Sequence, residues 1–176
     1  MTPEIEHLNR IFEETGRLER LEGLQLGESG TAALEFTSGA LVLFEYVPLH
    51  SRLYLFSPLV AAPSDPARRL CLCEAMLQCN FLKLDTGPGE LALSRRTDEA
   101  VYQVELDVLS LDAPRLGKMI RDLLRQRDEC LYTLTHWNAE EQSTAPNRTA
   151  AALARSTHPD KPSPLPIRRI VKLLGQ

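Results

Sequence analysis

No stretch of this chain is apolar for long enough to cross a membrane as a helix. Its start also lacks the makings of a signal peptide. Glu4 and Glu6 stand where positive charge belongs, and no long apolar run follows. Both absences lead us to expect a cytoplasmic protein, in which Asn147-Arg148-Thr149 has no meaning as a glycosylation sequon. Histidine is scarce and scattered. His7, His50, His136 and His158 fall in a first helix, a turn, a last helix and a tail, with no acidic or cysteine partner at motif spacing. They offer no base, nucleophile or metal site. Glycine-rich sequence is confined to Thr86-Gly87-Pro88-Gly89, which lacks the Gly-Lys-Ser/Thr ending of a phosphate loop and leads into a strand. The four cysteines are Cys71, Cys73, Cys79 and Cys130. Cys71 and Cys73 would point about 200° apart on a helix, which suits neither a disulfide nor zinc. Buried reduced thiols are the expected state, and no cofactor or metal is expected.

What is present suits one globular domain with a tail. The chain has 176 residues and is 43% hydrophobic, enough for a core. Its net charge of -4 is unevenly spread: residues 138–176 carry +3 and residues 1–137 carry -7. An acidic body argues against nucleic acid or another phosphate surface as partner.

Periodicity gives the elements. Thr2 and Pro3 read as a cap and first turn, and Ile5, Leu8, Ile11 and Phe12 recur at helical spacing, so a helix is expected over residues 3–15, frayed by Gly16. Strands follow at 31–37, 41–47 and 52–57. The second carries Val42, Phe44 and Tyr46 on one face, with Leu41, Leu43, Glu45 and Val47 on the other. In the third, Leu53 and Leu55 oppose Tyr54 and Phe56. Apolar residues on a face that also carries Glu45 mark either a contact surface or the seat of a helix of the same chain.

Asp65 and Pro66 open a helix over 66–82 with two apolar stripes, one of Leu70, Cys73, Leu77 and Phe81, the other of Leu72, Met76, Cys79 and Leu82. A helix apolar on two sides wants its own sheet on one and a second copy on the other. Leu72, Met76 and Cys79 are placed at the dimer interface, with Leu70 and Leu77 as the alternative. Two strands follow, at 90–95 and 101–108, then a helix from Asp112 to Trp137. Residues 138–166, rich in Ala, Ser, Thr and Pro, read as a flexible tail. Ile167–Leu174 is read as a short amphipathic helix or a frayed terminus. The expected fold is α+β: helix, three strands, helix, two strands and helix over 1–137, a mainly antiparallel sheet packed by helices, as a homodimer.

Several stretches, in this order, resemble the type III secretion chaperones of the Tir-chaperone (class I) family. They are Leu55-Phe56-Ser57-Pro58-Leu59, Ala75-Met76-Leu77-Gln78-Cys79-Asn80-Phe81-Leu82, Thr86-Gly87-Pro88-Gly89-Glu90-Leu91-Ala92-Leu93 and Leu109-Ser110-Leu111-Asp112. The resemblance covers roughly residues 3–137. Cys79 stands where the family usually has a small residue, Pro88 interrupts its paired glycines, and the tail is longer than usual.

The resemblance implies a small acidic cytosolic homodimer of a Gram-negative bacterium. It would hold the N-terminal region of a secreted effector extended, without ATP or catalysis, with the export ATPase as a further candidate partner. Surplus apolar residues nominate the effector-binding surface: Ile11, Phe12, Leu41, Leu43, Val47, Tyr54 and Phe56. Two rival functions stay open, a non-enzymatic adaptor or regulatory dimer of the export machinery and a small enzyme with an unrecognised site.

Overall fold

The computed structural model describes residues 2–21, 23–137 and 167–171. Its elements are α1 (Pro3–Glu19), β1 (Thr31–Phe36), β2 (Leu41–Val47), β3 (Arg52–Ala61), α2 (Pro66–Asn80), β4 (Glu90–Ser94), β5 (Glu99–Asp107), α3 (Ala113–Thr135) and β6 (Ile167–Val171). This is the expected α+β order with one strand more. The sheet runs β4-β5-β3-β2-β1-β6, and β1 pairs antiparallel with β2 and β6, as does β2 with β3. The chain divides into two compact units, one within Met1–Ser57, Gln103–Arg125 and Pro164–Gln176, the other within Pro58–Tyr102 and Gln126–Ser163.

In the first unit the Thr2 hydroxyl accepts the Ile5 N–H and Pro3 fills the first turn, so α1 starts where its sequence says. It does not fray at Gly16 but runs on to Glu19 and stops at Arg20 in the left-handed region. The chain then folds back, and the Leu21 N–H donates to the Gly16 carbonyl at 2.7 Å. A Cβ on Gly16 would lie 2.7 Å from the Leu21 carbonyl oxygen, so the glycine permits this return rather than ending the helix. Asn9 pins the returning segment: its side chain donates to the Leu26 carbonyl and accepts the Leu26 N–H, at 3.1 and 2.7 Å. Gly39, at φ +84°, turns β1 into β2, and the Phe36 N–H donates to the Ala40 carbonyl across the hairpin. Leu8, Phe12, Leu34, Phe36, Val42, Phe44, Leu53 and Leu55 are buried in the core.

β3 extends to Ala61 instead of ending at Ser57, with Pro58 inside it. Its register with β2 ends at the Leu43–Phe56 pair. Pro58 therefore falls beyond that ladder, where its missing N–H breaks no bond to β2.

In the second unit, Asp65 caps α2 by accepting the Arg68 N–H at 2.9 Å. The helix ends at Asn80, whose side chain donates to the Leu91 carbonyl and accepts the Leu91 N–H, at 2.9 and 2.8 Å. A 3-10 turn follows over Phe81–Lys83 with Leu82 in the left-handed region, which takes Leu82 off the helical stripe. The Tyr102 hydroxyl donates to the Thr86 carbonyl at 2.7 Å, fixing the turn before β4.

The amphipathic helix read over Ile167–Leu174 is corrected: Ile167–Val171 is a strand on the edge of β1. A five-residue run with three apolar and two basic residues is too short for periodicity to separate helix from strand, and antiparallel pairing with β1 settles the matter. The flexible segment read over residues 138–166 lies outside the described residues.

Candidate peptide-binding surfaces

β2 and β3 put their surplus apolar residues on one face. Burial alternates along both: Val42, Phe44, Tyr46, Leu53 and Leu55 are buried, whereas Leu41, Leu43, Val47, Tyr54 and Phe56 are half-buried. The register seats Leu43 directly across from Phe56, Glu45 across from Tyr54 and Val47 across from Arg52. Ala33 of β1 stands across from Leu43 but is itself buried. Large apolar side chains paired across strands form a contiguous patch.

A polar margin borders it. The Tyr54 hydroxyl donates to Glu105 at 3.0 Å. Arg52 bridges Glu105 at 2.9 Å and Asp107 at 3.0 Å. The Leu109 N–H and, after it, the Arg52 guanidinium hold the Asp107 carboxyl below its usual range. The patch is thus apolar in the middle and charged at its rim.

The two helix residues nominated with this patch are not part of it. Phe12 is wholly buried, with its ring edge-on to Phe44 at 5.2 Å, and Ile11 is buried as well. Phe44 belongs to the buried face of β2, so α1 packs on the opposite side of the sheet. Helical spacing identified an apolar stripe correctly but did not say that this chain's own sheet covers it.

The dimer assignment is corrected in the same way. Leu72, Met76 and Cys79 are buried with Ala75, whereas Leu70, Leu77 and Phe81 are 59%, 71% and 65% exposed. The uncovered stripe is therefore the alternative one. Two leucines that were not nominated for any surface, Leu49 and Leu109, lie almost fully exposed on 3-10 turns, Pro48–His50 and Val108–Ser110, which are joined where the Val108 N–H donates to the Ser51 carbonyl. No sequence signal marks them, because each sits in an apolar run.

Among the described residues no group of three or more His, Cys, Asp or Glu is placed to hold a metal ion. Burial pushes the Cys130 thiol up to about 12, which keeps it protonated and unreactive at neutral pH. His136 is exposed and stacks on Tyr132. The groove beside α1 is lined by Glu6, Arg10, Glu13, Arg17, Leu21 and Leu24, and its described lining residues include no nucleophile paired with a base. No helix among the described residues is long and apolar enough to cross a membrane.

The family model described as "Tir chaperone protein (CesT) family" matches residues 8–148. No curated protein sequence matches the chain. Among solved structures, the HopA1-SchA chaperone-effector complex aligns with a TM-score of 0.57 at 16% identity, over 75% of this chain and 98% of that one. The ExsC-ExsE complex gives 0.59 at 18%, over 74% and 95%. The Yersinia pestis type III secretion chaperone SycH, in complex with a fragment of YscM2, gives 0.52 at 16%, over 68% and 96%. At these identities the likeness is one of fold.

Proposed function

We propose, because the chain belongs to the Tir chaperone protein (CesT) family, that it is a cytoplasmic chaperone of type III secretion that holds the N-terminal segment of a secreted effector in extended form. The observation that carries this is the row of half-buried apolar side chains, Leu43 against Phe56 with Leu41, Val47 and Tyr54 beside it, on a sheet face rimmed by Arg52, Glu105 and Asp107. An extended segment gains main-chain bonds along strands and buries alternate side chains in such a patch. The segment loses its ordering entropy only while bound, so the effector stays export-ready without ATP. Support also comes from the fold shared with SchA and SycH, whose own structures are of complexes. We assign dimerisation to Leu70, Leu77 and Phe81, the stripe that α2 leaves uncovered.

Pull-down from the native host tests this. One secreted protein, captured through its N-terminal segment, is expected. Leu43→Asp and Phe56→Asp should each weaken it tenfold or more, about 1.4 kcal/mol, with the chain still folded. Folded variants of unchanged affinity would remove the site, and capture of export-apparatus proteins alone would favour the adaptor.

A further inference from the structure

β1 has two neighbours that differ in origin. β2 follows it through a tight hairpin. β6 comes from residues 167–171, beyond the segment 8–148 that the family model matches. Among the described residues of the matched segment, β1 is the last strand of the sheet on this side.

Antiparallel geometry says which groups those are. The Tyr46 N–H donates to the Gly30 carbonyl and the Phe36 N–H to the Ala40 carbonyl, both at 2.9 Å. Bonded and non-bonded pairs alternate along such a ladder. Ala32, Leu34 and Phe36 therefore direct their N–H and C=O toward β2, and Ala33 and Glu35 direct theirs to the outer edge. There Ala33 meets Val171, Leu34 meets Ile170 and Glu35 meets Arg169, after which the register slips so that Phe36 meets Ile167. β6 thus holds on through two bonded pairs, Ala33–Val171 and Glu35–Arg169, before the slip. Read along β6, the edge accepts a basic residue across from Glu35, then two apolar residues across from Leu34 and Ala33. Because Ala33 also stands across from Leu43, which stands across from Phe56, the edge lies one strand from the apolar patch.

We infer that the outer edge of β1 is a strand-docking site, occupied by the chain's own Ile167–Val171, and that an extended partner segment bearing a basic residue followed by two apolar ones takes the same place by displacing it. Occupancy by β6 stands on register alone, whereas displacement by an effector rests on the chaperone reading. A tethered strand competes at high effective concentration, so partner affinity falls by the fraction of molecules in which β6 is docked.

The test uses the full chain with Arg169→Pro and Val171→Pro together, which removes the two N–H groups that donate to Glu35 and Ala33. Amide hydrogen exchange at Ala33 and Glu35 should accelerate at least tenfold, with Ala32 and Leu34 unchanged. A labelled peptide of residues 164–176 should bind this variant at least tenfold more tightly than the wild type. Unchanged exchange at Ala33 and Glu35, or equal peptide binding by both chains, would overturn the docking site. Faster exchange at Ala32 and Leu34 as well would make β6 an integral strand and overturn displacement. If the variant binds the captured secreted protein no more tightly than the wild type does, the effector does not use this edge. Failure to capture any secreted protein would instead sink the chaperone reading and leave the peptide and exchange results standing.

Discussion

Single residues decide which apolar side chains are core and which are surface. Phe12 and Phe56 are indistinguishable by type, yet one is wholly buried against Phe44 and the other half-buried across from Leu43. Asn9 and Asn80 each satisfy both backbone groups of a distant residue, Leu26 and Leu91, where an unpaired amide would be costly. Gly16 yields a prediction whose sign runs against helix propensity. Alanine favours a helix interior over glycine by up to about 1 kcal/mol. At this position its Cβ would meet the Leu21 carbonyl oxygen at 2.7 Å, and forced overpacking costs about 1–3 kcal/mol. Gly16→Ala should therefore lower stability in urea by about 1 kcal/mol, and a stabilised variant would contradict the helix-end geometry.

At the scale of elements, α2 shows how a helix with two apolar stripes divides its labour. Met76→Glu places a charge at a buried position and should destabilise the fold by several kcal/mol. Leu77→Glu changes an exposed position, so the chain should remain folded and light scattering should report a monomer. A dimeric Leu77→Glu would move the interface elsewhere.

The start of α2 is also tied down electrostatically, through Arg69 to Asp98 at 2.7 and 3.0 Å. Hydrogen bonds from Arg69 hold the Asp98 carboxyl below its ordinary 3.8. A depressed carboxylate contributes stability that is present above its unfolded value and lost as pH falls through the folded one. Arg69→Ala should raise the Asp98 titration, followed by carboxyl carbon shifts. Its destabilising effect should be present at neutral pH and fade below about pH 4.

For the whole molecule, the six-stranded sheet places β4 at one end and β6 at the other. Two bonded backbone pairs attach β6, and neither α1 nor the β1–β2 hairpin requires it for its own bonds. Truncation after Asn138 should therefore shift the melting temperature by only a few degrees in a calorimetric scan. A large loss would mean that the last strand is part of the folding unit.

Much of this fold is written locally. The caps Thr2 and Asp65, the alternation through Val42, Phe44 and Tyr46, and the turn at Ser38-Gly39 are each set by residues within a few positions of one another. The short stretches around Ser57-Pro58, Asn80 and Asp112 also sufficed to place the chain in its family. The sequence by itself therefore determined the order and type of the first eight elements and the surplus apolar residues of β2 and β3. It could not determine which stripe of α2 faces inward, because Leu70 and Leu72 have equal hydrophobicity and only the side on which the rest of the unit packs separates them. It could not exclude Phe12 from the half-buried apolar patch, because α1 covers the far face of the sheet only once the strands have paired. Nor could it reveal the strand at Ile167–Val171, whose conformation is fixed by bonds to Ala33 and Glu35 more than 130 positions away. Local pattern sets what each segment is, and only tertiary pairing decides which of its faces is left for a partner.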